Sequence, residues 1–108
     1  MASTFSFIQG NRRPYFAIVV KNVLTNAAVD LTGASAVFYF RHRSGRTAKV
    51  SGSSVTLTDA AAGEIEYRWA AGDLDVPGFY QAEFRITHTD AKVQSVLIDD
   101  VEVKPKLG

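Results

Sequence analysis

The chain contains no cysteine, which excludes disulfides, thiolate metal sites, cysteine nucleophiles and thiol redox chemistry. It has almost no excess of one charge. Twelve basic residues face eleven acidic ones, for a net charge of +1, far from the surplus of a dedicated nucleic-acid binder. Apolar runs extend over only a few residues, too short for a membrane-spanning helix. The opening Met1-Ala2-Ser3-Thr4-Phe5 lacks a basic stretch followed by a long apolar one, so no signal peptide is expected and synthesis should stay in a cytoplasm. Repeats, low-complexity tracts and internal linkers are missing. Only Ala60-Ala61-Ala62 and Ala70-Ala71 favour helix, and both are too short for more than a turn.

What is present alternates with a period of two. In Gly63-Glu64-Ile65-Glu66-Tyr67-Arg68-Trp69, Ile65, Tyr67 and Trp69 share one face and Glu64, Glu66 and Arg68 the other. Tyr80, Ala82, Phe84 and Ile86 alternate with polar residues in the same way. Ala36, Phe38 and Phe40 form another inward set, Phe16, Ile18 and Val20 a fourth, and Val55 and Leu57 a short fifth. The stretch from Lys92 to Lys104 is long and β-branched, with Asp99-Asp100 expected to bulge or bend it. Turn-forming clusters fall between these runs at regular intervals. The 108 residues are expected to form one domain, with 1–10 as a lead-in and 104–108 as a tail. The fold class read from this is all-β, an immunoglobulin-like antiparallel β-sandwich of about seven strands near 14–22, 34–42, 46–51, 53–58, 64–70, 78–88 and 92–103.

Particular residues have folding roles. Asp30 should accept backbone N–H groups of its own turn, Leu31 should plug the end of the core, and Gly33 offers a positive φ before the second strand. Trp69 buries a large apolar area and needs a partner for its indole N–H. Gly78 closes a loop, and Tyr80 follows where a tyrosine corner belongs, its hydroxyl returning to that loop. The competing reading of Tyr80 is an ordinary half-buried strand tyrosine.

These residues resemble a known family. Asp30-Leu31-Thr32-Gly33-Ala34-Ser35-Ala36-Val37-Phe38 resembles a signature of the N-terminal immunoglobulin-like domain of phage baseplate upper proteins. Ile8-Gln9-Gly10-Asn11 with Pro14, Gly63 to Trp69, and Pro77 to Phe84 resemble other motifs of that family in the same order, with Asn11 replacing the usual Asp. The resemblance spans about residues 8 to 103. It implies a structural protein of a phage or prophage virion, tail or baseplate associated and made in the host cytoplasm. The partners it implies are other virion proteins, with self-assembly into a homo-oligomer as a further expectation.

Candidate chemistry is sparse. His42 and His88 each end a strand and, with Asp90, could hold zinc if both strands ended at one pole; the alternative is two solvated loop histidines. Glu64 and Glu66 stand about 6.5–7 Å apart along a strand, a glycosidase-like spacing, but Arg68 continues their face as in a solvated charged ladder. Asp73 and Asp75, with Asp30, could offer oxygens to calcium or simply form turns. No nucleophile elbow or phosphate-cradling motif occurs. The expectation is a non-enzymatic protein with no cofactor.

The remaining signal concerns surfaces. Arg41-His42-Arg43-Ser44-Gly45-Arg46 forms one charge cluster that Arg12 and Arg13 should join at one pole, with Asp30, Asp73 and Asp75 at the other. Three readings apply: a solvated loop, an assembly contact between oppositely charged poles, or binding of nucleic acid or acidic glycan, which the near-zero net charge argues against. Val19, Val37, Tyr39 and Phe79 point outward and are more apolar than a solvated face requires. Ala17 to Val20 and Ser95 to Ile98 would invite pairing if they lay at a sheet edge. The expected interface is therefore Arg12, Arg13, Tyr39, Arg41, Arg43, Arg46 and Phe79. The competing function is a stand-alone binding module for a glycan or host protein.

Overall fold

The computed structural model describes residues 5–22, 24–45 and 48–107. Arg46, expected at the interface, and Met1 to Thr4 lie outside the described residues. Eight strands are present: β1 (Phe5–Ile8), β2 (Phe16–Val19), β3 (Ser35–His42), β4 (Ala48–Ser54), β5 (Thr56–Asp59), β6 (Glu64–Tyr67), β7 (Gly78–Thr87) and β8 (Val93–Lys104). They form two packed sheets, one ordered β1-β8-β7-β3-β4 and the other β2-β6-β5. This is the expected immunoglobulin-like sandwich, with two corrections. The strand count is eight rather than about seven, because part of the segment read as a lead-in is itself a strand. That strand, β1, runs parallel to the end of β8, with Phe5 opposite Val101 and Ile8 opposite Lys104. All other strand pairs are antiparallel.

Alternation decides which side chains enter the core. Phe16, Phe38, Phe40, Tyr67, Trp69, Tyr80 and Phe84 are all buried between the sheets. Phe38 stacks on Tyr67 with ring centroids 4.2 Å apart, and Phe40 stacks on Tyr80 at 4.3 Å. Trp69 meets Phe40 edge-on at 5.2 Å. Leu31, fully buried, closes the core at one end. Fully burying one such side chain gains roughly 1.5–3 kcal/mol, so this cluster is the main source of stability.

One irregularity keeps the pattern intact. Ala82 pairs with Ile98 and Tyr80 with Val101, so Asp99 and Asp100 both oppose Gln81. This is the bulge expected at Asp99-Asp100. It allows Ile98 and Val101, three residues apart, to face the same core. A one-turn 3-10 helix, Ala60–Ala62, is the only helical element among the described residues.

Candidate assembly surface

Three of the folding residues act through hydrogen bonds. Asp30 Oδ1 accepts from the Thr32 backbone N–H at 2.9 Å and from its hydroxyl at 2.6 Å. These bonds, the hydroxyl's first, hold its carboxyl below the ordinary aspartate range. The Tyr80 hydroxyl donates to the Val76 carbonyl at 2.6 Å, which makes it the corner tyrosine. Trp69 donates its indole N–H to the Pro14 carbonyl at 3.1 Å. The two glycines are required by geometry. Gly33 has φ +80°, and Gly78 has φ +142° with the His42 ring packed against its α-carbon.

The outer face of the five-stranded sheet is built by the residues that alternate with the core. Tyr39 lies opposite Glu83 and Arg41 opposite Gln81 on β3 and β7, while Leu97 and Val93 on β8 lie opposite Glu83 and Thr87. Polar ladders cross it. Arg41 donates to Gln81 Oε1 at 3.2 Å, and Gln81 donates to Asp99 Oδ1 at 3.3 Å. The Arg85 guanidinium lies 4.4 Å from the centre of the Tyr39 ring and donates to its hydroxyl. The Glu83 carboxyl is held below its ordinary range by the Ser95 hydroxyl and then by Arg85. Three large apolar side chains stand out of these ladders: Phe79 is 51% exposed, Val93 59% and Leu97 63%.

The charges do not separate into two poles. Lys49 is ion-paired with Asp75, and Arg43 reaches Asp100 at 3.1 Å. Gln9 donates to the Asp75 carbonyl, and the Gly10 N–H to that of Leu74. Asp73 and Asp75 therefore sit at the end that carries the β3–β4 turn, beside the basic residues rather than opposite them. Asp30 does lie at the far end, where the Leu31 N–H reaches the Ala60 carbonyl. Arg12 and Arg13 share the turn end but join Tyr15, Arg68 and Trp69 around a separate hollow, away from Arg41 and Arg43.

The candidate ligand sets come apart for the same reason. β3 and β7 are antiparallel, so His42 lies opposite Tyr80 while Thr87, next to His88, lies opposite Ser35. The two histidines end at opposite poles and cannot share a zinc ion. Asp30 is likewise at the other end from Asp73, which accepts from the Tyr67 hydroxyl and the Ala70 N–H at 2.6 and 2.8 Å. Burial, then the Asp73 contact, holds the Tyr67 hydroxyl protonated far above the ordinary phenol range. Glu66 is paired with Arg68 at 2.8 Å, as in the charged ladder.

Two strand edges are open. β2 is an edge strand, and β1 covers only Val101 to Lys104 of β8, leaving Val93 to Asp100 without a partner on that side. A groove of about 550 Å³ runs between these edges, lined by Ala17 to Val19 and Val96 to Ile98.

Comparison with curated proteins and with solved structures gave no significant match. A family profile described as the BppU N-terminal domain matches residues 6–99, nearly the whole chain. That span contains the Asp30 turn, the Trp69 strand and the tyrosine corner. The chain belongs to the BppU N-terminal domain family of phage baseplate upper proteins and is, with that family, a baseplate-associated structural domain of a phage tail.

Proposed function

We propose that this domain is a non-enzymatic assembly module of the phage or prophage tail, and that it docks on other virion proteins through the outer face of its five-stranded sheet. The observation that carries this is the grouping of Phe79, Val93 and Leu97 on one flat face, each more than half exposed. An aqueous face has no use for three such side chains, while a protein interface buries them at its centre and keeps the polar ladders as its rim. Tyr39 and Arg41 lie between these positions and Arg43 at their margin, and aromatic and arginine side chains dominate interface energetics. The same face suits a second copy of the chain. Membrane, nucleic acid and cofactors have no part in this reading.

The test is co-sedimentation of the purified chain with tail particles, alongside its mass in solution by light scattering. Wild-type protein is expected to bind the particles or to form a discrete oligomer. Phe79→Asp with Leu97→Asp should abolish both while leaving the melting temperature within a few degrees. Retained assembly in that variant would overturn the outer face as the interface. Binding to a glycan array without tail binding would favour the stand-alone binding module.

A further inference from the structure

We infer that the hollow ahead of β2 is a binding site for carboxylate groups, presented by an acidic stretch of polypeptide on a partner. The hollow measures about 660 Å³ and is lined by Asn11, Arg12, Arg13, Tyr15, Arg68 and Trp69. Its charge balance differs from the rest of the surface. Arg43, Arg68 and Arg85 each have a carboxylate partner, and Arg41 has the Gln81 amide oxygen. Among the described residues no carboxylate lies within ion-pair distance of Arg12 or Arg13. Three guanidinium groups thus share one hollow with a single carboxylate, Glu66, beside them.

The site is also held in shape. Arg12 Nε donates to the Trp69 carbonyl at 3.1 Å, and the Trp69 indole donates back to the Pro14 carbonyl at 3.1 Å. The two bonds run in opposite directions between the same two segments, so neither segment shifts without breaking one. Trp69 is itself anchored by Phe7, Phe16 and Phe40. The Tyr15 ring carries the Arg13 guanidinium at 5.6 Å and that of Arg68 at 5.4 Å. Arg12 and Arg68 spend their Nε atoms on protein acceptors. Among the described residues, the outer nitrogens of all three arginines bond no protein group, and that fork matches a carboxylate in two parallel bonds.

Geometry favours polypeptide over nucleic acid. A phosphate backbone calls for a stripe of cations, and its binding grows with the number of phosphates neutralised. Here the cations converge on one point in a chain of net charge +1. The site lies apart from the outer-face residues, so the two proposals stand or fall separately.

The chain has one tryptophan, and it lines the hollow, so its indole reports occupancy directly. The experiment titrates the intact chain with a hexaglutamate peptide, reading the Trp69 indole N–H and the Arg12 Nε–H by NMR. A saturable shift of both signals is expected, weakened several-fold by raising salt from about 0.05 to about 0.3 M. Arg13→Ala with Arg68→Ala should weaken binding about tenfold or more with the melting temperature unchanged, since Arg13 has no structural bond to lose. Phe79→Asp with Leu97→Asp should leave peptide binding intact. No shift at millimolar peptide would overturn the site. Tighter binding of a short oligothymidylate at the same arginines would overturn the polypeptide assignment.

Discussion

Tyr80 shows how much one hydroxyl decides. It anchors the loop before β7 to the strand it opens, through one bond to the Val76 carbonyl. Tyr80→Phe keeps the ring stacked on Phe40 and removes only that bond. The expected loss is about 1 kcal/mol, seen as a lower urea midpoint with an unchanged slope. Asp30 makes a prediction in pH. Its folded carboxyl titrates below its ordinary value of 3.8, so its contribution to stability is complete above that value and is lost as pH falls through the lowered one. Asp30→Asn should therefore flatten the fall of melting temperature below about pH 4, as a scan from neutral to strongly acidic buffer would show. These roles were legible in the sequence because each depends on neighbours within a few residues: Asp30 with Thr32, Tyr80 with Val76.

The β8 bulge is the element-scale counterpart. Asp99 and Asp100 together oppose one residue of β7. Deleting Asp100 would restore regular pairing and turn Val101 and Val103, both buried, toward solvent. The deletion should abolish cooperative unfolding by circular dichroism, whereas Asp99→Ala, which keeps the spacing, should cost well under about 1 kcal/mol. Strands announced by alternation were readable, as in Ile65-Glu66-Tyr67, and so was this bulge. β1 was not. Phe5-Ser6-Phe7-Ile8 is only four residues long, and its partner on β8 lies almost the whole chain away, so nothing local marks it as paired. Its importance is nonetheless testable. Phe7 is buried against Phe16 and Trp69, and Phe7→Ala should cost about 3–5 kcal/mol in chemical denaturation.

For the whole molecule, charge is arranged by topology rather than by sequence order. Asp73 and Asp75 follow β6 and precede β7, so their loop returns to the end where β3 turns into β4; Asp75 pairs with Lys49 there. Read along the chain they seem to belong elsewhere, because which loops share an end depends on strand direction in both sheets. The same dependence hid the convergence of Arg12 and Arg13 with Arg68 and kept His42 from His88. With its ion pairs short-range and exposed, the folded chain should be nearly indifferent to salt. Raising sodium chloride tenfold should move the melting temperature by no more than about 2–3 °C in calorimetry.

The parallel pairing of β1 with β8 has a mechanical consequence. The Gln9 N–H continues the pair by donating to the Lys104 carbonyl, and the Lys106 N–H returns to the Gln9 side chain. A pull that separates the start of β1 from the end of β8 draws the two strands past one another along their length. The bonds between Phe5–Ile8 and Val101–Lys104 lie across that direction and bear the load together, in shear. An antiparallel pair tugged from its open end would instead unzip one bond at a time. A protein strained along a contracting or recoiling tail would resist tension at this clamp first. Single-molecule stretching of the wild type against Phe7→Ala would measure how much of that resistance β1 provides.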